Sequence, residues 1–319
     1  MTETTKRVLS KAEIVHAYHT RTKHRLNRYA AGPETLDWTE QPNPWREFAG
    51  SPRIPLPLKA RRVGTTFAAL HAPDNVSPRA LTIESAAVLL ELSMALSAWK
   101  EHGPDRWAVR CTPSSGNLHP TEAYLLSKGV AELPDGLHHY VSRDHSLEQR
   151  CRFEWPASSR ADGQTDGADD GQGHEPGDEP GNERAQLQGT SALWIGLSSV
   201  HWRESWKYGE RGFRYCQLDI GHAIGALRYA AGVLGWSLQV VEHCSASTLA
   251  RLMGLDRDAD FGSAEREEPD VLLAVIPHAA PGALRRDAYA SVVPAPAQLE
   301  WAGNANVLDP SHVSLACRG

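Results

Sequence analysis

Arg106-Trp-Ala-Val-Arg-Cys-Thr-Pro-Ser-Ser-Gly-Asn-Leu-His-Pro-Thr-Glu-Ala-Tyr-Leu-Leu126 is the stretch on which the reading of this chain turns. It opens like the end of a strand or helix and closes on the apolar run Ala123-Tyr-Leu-Leu126. Between them lies a tight polar loop containing Pro113, Ser114, Ser115, Gly116, Asn117 and His119. Pro113 and Pro120 fix φ at both shoulders, and Gly116 admits backbone angles closed to other residues. Such a loop presents hydroxyls, an amide and backbone N–H groups from one rigid patch, which suits a flat ligand rich in hydrogen-bonding groups. The same residues are also satisfied by a structural turn between two elements.

Working outward, residues 123–127 and 137–141 read as strands, the second following the Pro134-Asp-Gly136 turn. Upstream, residues 82–99 read as a helix. Thr82 caps it, Glu84 sits at its positive end, and Ile83, Ala87, Leu90, Met94 and Ser97 keep helical spacing until Gly103-Pro104. Downstream, 193–200 reads as a buried strand and 213–234 as one long helix. The broad apolar face of that helix includes Ile220, Ala223, Leu227, Ala230 and Leu234, and Gly221, Gly225 and Gly232 permit close packing. It should be central or lie in a subunit interface. A strand at 236–241, a short helix capped by Ser245 and ending near Gly254, and a strand at 271–276 complete the pattern.

The flanks differ in kind. Residues 11–29 read as a short helix. Residues 32–58 hold six prolines together with Trp38, Trp45 and Phe48, and read as an extended arm packed on a surface. Residues 157–186 are rich in Asp, Glu, Gly and Gln and lack any aliphatic residue larger than Ala, so they read as a disordered acidic insertion. The last forty residues look like a second wrapping tail. The expected division is a helix and Pro-rich arm over 1–60, a central domain over 61–280 interrupted at 157–187, and a tail over 281–319.

Composition narrows the function classes. With 319 residues, 41% hydrophobic content and a net charge of −6, nothing points to nucleic acid or a membrane surface. No apolar run is long enough to span a bilayer, and no apolar segment follows the N-terminus to suggest a signal peptide. Five cysteines without a CxxC pair predict reduced thiols in a cytoplasmic protein. His138, His139 and His145 are close in sequence, but no neighbouring acid or Cys completes a chelating set, so no metal is expected. Walker and Rossmann loops and a G-x-S-x-G elbow are absent.

Pro113-Ser-Ser-Gly-Asn-Leu-His-Pro120 resembles the flavin-contacting loop of the FMN-dependent nitroreductase family. Lys207-Tyr208-Gly209, Arg211, Arg214-Tyr215 and Gly221-His222 are similar to the azoline-dehydrogenase (thiazoline oxidase-like) branch, and Pro269-Asp-Val-Leu-Leu-Ala-Val275 follows the family's order of elements. The resemblance implies an α+β, nitroreductase-like fold: a mostly antiparallel sheet flanked by helices, dimeric, with FMN in the dimer interface. It implies that Pro113, Ser114, Ser115, Gly116, Asn117 and His119, with Arg110 and Arg211, contact the cofactor. Lys207 and Tyr208 would be the catalytic acid/base groups, Lys207 as a desolvated amine with its pKa lowered beside Arg211. From the residues alone, the aromatics and cations of 201–215 are also satisfied by a surface patch. For the FMN phosphate, Arg61-Arg-Val-Gly-Thr-Thr-Phe67 corresponds in position to the family's anchor, and Arg110, Arg285 and Arg286 offer guanidinium alternatives.

The expected function is a flavoprotein oxidoreductase dehydrogenating a peptide-derived or small heterocycle. The alternatives are an NAD(P)H-dependent nitro or quinone reductase, and a degenerate flavin-fold partner or scaffold without activity. Related chains are expected to continue beyond Trp301-Ala-Gly-Asn-Ala-Asn306 into a second domain of the same type. Pairing here would then be with another copy or with a separate nitroreductase-like subunit.

Overall fold

In the computed structural model, residues 9–71, 76–153, 191–242, 244–277 and 299–308 are described. The central strand is β5 (Thr121–Lys128), which contains the apolar run that closes the anchor stretch. Strands β6 (Gly136–Val141), β7 (Ser146–Arg152), β8 (Ala192–Ser199), β9 (Trp236–Val240) and β10 (Glu268–Pro277) join it. With β11 (Glu300–Trp301) at one end, the order is β11-β7-β6-β5-β8-β10-β9, and β2 (Arg53–Pro55) also pairs with β7. Every strand pair in this sheet is antiparallel.

Period-two alternation divides β5 between two cores. Ala123 and Leu125 point into one, with α2 (Ile83–Glu91) and the long helix 212–233; Tyr124 and Leu126 point into the other. That second layer is closed by the helix capped by Ser245, Phe261, and the strip 299–308. Each side chain fully buried this way contributes about 1.5–3 kcal/mol. Because β5 is covered on both faces, its middle, Ala123 to Leu126, is apolar without a break, and the elements packed on it hold their ends in fixed places.

Several boundaries depart from the sequence reading. The expected helix over 82–99 stops at Glu91. Residues Leu96–His102 (β3) instead pair with Asp105–Arg110 (β4) as a two-stranded ribbon, and Gly103 turns between them at φ 58°. The physical reason is burial. Ser85 to Leu90 lie in the core, whereas Ser97 to Lys100 are exposed and give a helix no apolar stripe to hold. The first helix, α1 (Lys11–Thr22), also ends earlier than expected, and starts with a Ser10–Glu13 capping box. The Pro-rich stretch contributes β2 to the main sheet, and its Phe48–Ala49 (β1) pairs with Asn304–Ala305 (β12). The acidic stretch 157–187, Arg285 and Arg286 lie outside the described residues.

Candidate active site

The loop between β4 and β5 takes the strained shape that its composition foretold. Residues 115–117 make one tight helical turn, with Gly116 at φ 63°, Asn117 at φ 60° and, beyond it, His119 at φ 53°. Its polar groups, however, are turned inward. The Ser115 N–H and hydroxyl donate to the Asp219 carboxylate at 3.1–3.2 Å. The His119 N–H donates to the Ser114 hydroxyl at 2.8 Å, and the Asn117 side-chain amide donates to the Ala108 carbonyl at 2.9 Å. The His119 ring is buried beneath the loop. Burial first, and then the Arg110 charge, lower its pKa to about 3, so it is neutral. The Ser115 N–H and hydroxyl, the Asn117 amide N–H and the His119 N–H are thus engaged in holding the loop's own shape, while Ser114, Ser115 and Asn117 stay half-exposed. Pro113 and the bare backbone of Gly116 face outward most fully.

Two helices complete the site. Strand β8 runs into α3 (His201–Tyr208), whose end at Gly209 (φ 54°) lets the chain turn into α4 (Gly212–Val233). Arg203 of α3 donates to the His119 carbonyl at 2.7 Å and so ties the helix to the loop. The far end of α3 then brings Lys207 and Tyr208 against Gly116. A Cβ added at Gly116 would meet the Tyr208 hydroxyl at 2.6 Å and Lys207 Nζ at 3.2 Å. Among the described residues Lys207 makes no hydrogen bond or ion pair; its amine lies 5.5 Å from the Trp38 ring, which itself packs on Trp206. Burial, reinforced by Glu204, Tyr215 and Asp219, raises the Tyr208 pKa, so the phenol is a donor at neutral pH.

The two arginines assigned to the cofactor are placed differently. Arg110 is buried and donates to the Thr121 and Pro44 carbonyls. Arg211 is buried and donates to the Thr22 carbonyl and to the Tyr215 hydroxyl, anchoring α1. Neither presents a free guanidinium fork. The 61–67 segment is exposed over most of its length, and Thr65 bonds the Val233 carbonyl at the far end of α4 from the loop.

Two acids were not singled out from sequence. Asp219 holds the loop from α4, and Glu204 lies fully buried on α3 with neither carboxyl oxygen hydrogen-bonded among the described residues. Burial, then the Asp219 charge, push the Glu204 pKa up to about 9, against the pull of Lys207 and Arg203. Asp219 carried a readable signal, an acid within the otherwise apolar stripe Cys216, Ile220, Ala223.

For a flavin, the fit lies at the ring. Gly116 offers an exposed surface with no side chain, bordered by a phenol and an amine, and any substituent there would fill the space against them. Pro113, Gly116, Lys207 and Tyr208 are the residues that would line a ring laid on this loop.

Comparison with known proteins agrees with this architecture. The model of the nitroreductase family matches residues 88–263. A solved structure from Anabaena variabilis, assigned as a nitroreductase, is 22% identical with a TM-score of 0.57, covering 84% of this chain and 48% of that one. This chain thus spans about half the length of that protein, and the likeness shows a shared fold. A nitroreductase-like protein from Ralstonia eutropha is 15% identical (TM-score 0.45), covering 79% of this chain and 97% of that one. A chain of the E. coli microcin synthetase McbBCD complex with truncated pro-MccB17 is 14% identical (TM-score 0.42), covering 86% and 85%. Curated protein sequences give no match.

Proposed function

The chain belongs to the nitroreductase family, and from that premise we propose that it is an FMN-dependent dehydrogenase of a peptide-derived or other small heterocycle. One observation carries the reading: Lys207 and Tyr208, far from the loop in sequence, converge on its single side-chain-free residue, Gly116. FMN, when bound, supplies the acceptor for the substrate's hydride, and its electrons pass on to a separate acceptor. The protein supplies the rest. Removing a hydride from a ring carbon requires a proton to leave the neighbouring atom, and the amine of Lys207, unpaired among the described residues, is the group suited to take it. The phenol of Tyr208, kept protonated by its surroundings, orients the substrate by donating a hydrogen bond. Trp38, packed on Trp206, stands beside the amine with its ring centre 5.5 Å from Nζ.

A second copy of the chain suits the outer face of α4. Phe213, Leu218 and Tyr229 are exposed there, and Gly221 and Gly225 have no atom within 4 Å of a built Cβ, leaving room for close approach. A homodimer through this face is part of the proposal.

The test is reconstitution with FMN followed by two assays. Lys207→Ala should lower heterocycle dehydrogenation by about 10²–10⁴-fold, the usual contribution of a general base. It should leave NAD(P)H-driven nitro or quinone reduction, where present, within a few-fold. Equal loss of both activities would refute the role given to Lys207, and a protein that cannot take up FMN would refute the function.

A further inference from the structure

We propose that Glu204 is a positioning residue for Lys207: it keeps a proton inside the junction of α3 and α4, and so withholds the carboxylate that would otherwise capture the lysine amine. The proton assignment stands on geometry; its meaning for catalysis rests on the reading of Lys207 given above.

The geometry is a contrast between two acids in one junction. Asp219, from α4, receives the Ser115 N–H and hydroxyl, so its negative charge has donors. Glu204, from α3, is fully buried, and neither of its oxygens has a hydrogen-bond partner among the described residues. A buried carboxylate without donors is expensive enough that the group takes up a proton instead. The adjacent Arg203 gives Nε and one terminal nitrogen to Glu122 at 2.5 Å and to the His119 and Asn43 carbonyls; its other terminal nitrogen is buried and makes no hydrogen bond to Glu204 among the described residues, so only its charge opposes the proton. The titratable groups facing Glu204 are Arg203, Lys207 and Tyr208 on its own helix and Asp219 and Cys216 on α4. Of these, Asp219 is the other carboxyl group; burial raises its pKa while its hydrogen bonds from Ser115 hold it down, and its charge argues against a second one. The upward shift to about 9 agrees with this.

Position makes the proton matter. Glu204, Lys207 and Tyr208 stand at i, i+3 and i+4, on one face of the helix. An ionised Glu204 would be an ordinary intrahelical partner for Lys207, drawing Nζ from Gly116. A protonated Glu204 leaves the amine beside the loop.

The experiment uses the purified full chain without FMN or substrate. Infrared titration should show a protonated carboxyl group at about pH 7.5 in the wild type and in Lys207→Ala that is missing from Glu204→Gln. Its absence from the wild type would overturn the proposal. Acylation of Lys207 by an N-hydroxysuccinimide acetate, followed by peptide mass spectrometry, reads the amine directly. At about pH 10 the wild-type rate should be about fivefold below that of Glu204→Gln, the effect of a modest ion pair. At about pH 7.5, where Glu204 holds its proton, the two rates should agree; a wild-type rate already about fivefold lower there would overturn it. Neither readout depends on the oxidoreductase reading, so a failure here and a failure there are distinguishable.

Discussion

Two clusters of buried charge meet near the start of β5, and they treat their acids in opposite ways. On the second-core side, Glu122 accepts from Arg203 at 2.5 Å and from His139 at 3.3 Å, and His139 reaches Glu148 at 3.1 Å with its other nitrogen. Burial alone would raise the Glu122 pKa, but Arg203, His139 and Arg110 outweigh it and bring it to about 2. The same exchange carries His139 to about 9, its two carboxylate partners overcoming burial. At the junction of α3 and α4, Glu204 is no more exposed, yet its pKa moves up. Burial does not decide the charge of an interior acid; the number of donors aimed at it does. The saturated cluster belongs to architecture. The deficient one borders the loop on which the proposed function rests.

The sharpest way to break this contrast is to remove a partner from the saturated cluster. Glu122→Ala leaves Arg203 and a protonated His139 buried without their shared carboxylate. The expected loss of stability is about 3–5 kcal/mol, measured by denaturant unfolding near pH 6. The wild-type cluster has a definite pH window. The Glu122 pKa is depressed on folding, so its stabilisation is present above about 4.5 and is lost as pH falls through about 2. The His139 pKa is raised, so its stabilisation is complete below 6.5 and is lost as pH rises through about 9. The cluster's own contribution, read as wild type minus variant, should therefore plateau between pH 4.5 and 6.5 and shrink on either side. A loss below 1 kcal/mol would mean that the cluster is a passive set of contacts.

The deficient cluster predicts a change of opposite sign. Because the folded pKa of Glu204 is raised from 4.5 to about 9, folding binds a proton in that interval, and stability falls as pH climbs through it. Glu204→Gln removes this penalty while keeping the shape of the side chain. At pH 8 it should stabilise the fold by on the order of a few kcal/mol, and below pH 4.5 it should do nothing. Thermal melting of both proteins across pH 4–9 checks it. A variant less stable than wild type at pH 8 would show that Glu204 has donors and belongs with Glu122.

The difference between the clusters also marks how far the sequence could be read. Strands β5, β6, β8, β9 and β10, the long helix and the cap at Ser245 were legible because each is written in local signals: apolar runs, a capping serine, a glycine after the last turn. Gly116 and the pair Lys207-Tyr208 were legible as motifs, though not as neighbours, since only the sheet and α4 bring them together. The end of α2 was missed because Met94 and Ser97 keep helical spacing while the burial that would have held a helix stops short of Ser97. The inward turn of Ser115 and Asn117 was missed for a related reason: a hydroxyl in a loop looks available until Asp219, far along the chain, is placed beneath it. Glu204 had no local signal at all. Whether a carboxyl finds donors is a property of the packed junction, and the residues that decide it are scattered from Ser114 to Asp219.

Gly116 is where the two treatments of polarity meet, and replacing it gives the smallest effect on stability and the most local one. An alanine at φ 63° costs about 1 kcal/mol, the ordinary penalty of a left-handed backbone on a residue with a Cβ. The added methyl must also displace the Tyr208 hydroxyl, 2.6 Å away, and a tyrosine side chain can swing aside at little further cost. The loop should survive, because Ser115, Asn117 and His119 hold it from beneath. The phenol, moved toward water, should lose the burial that raises its pKa. Ultraviolet titration of Gly116→Ala, with Tyr208→Phe as the reference that identifies the phenol, should therefore show Tyr208 ionising at lower pH than in the wild type, with melting shifted by only a few degrees. An unchanged phenol titration would mean that Tyr208 does not stand against the loop, and the convergence on which the functional reading depends would be gone.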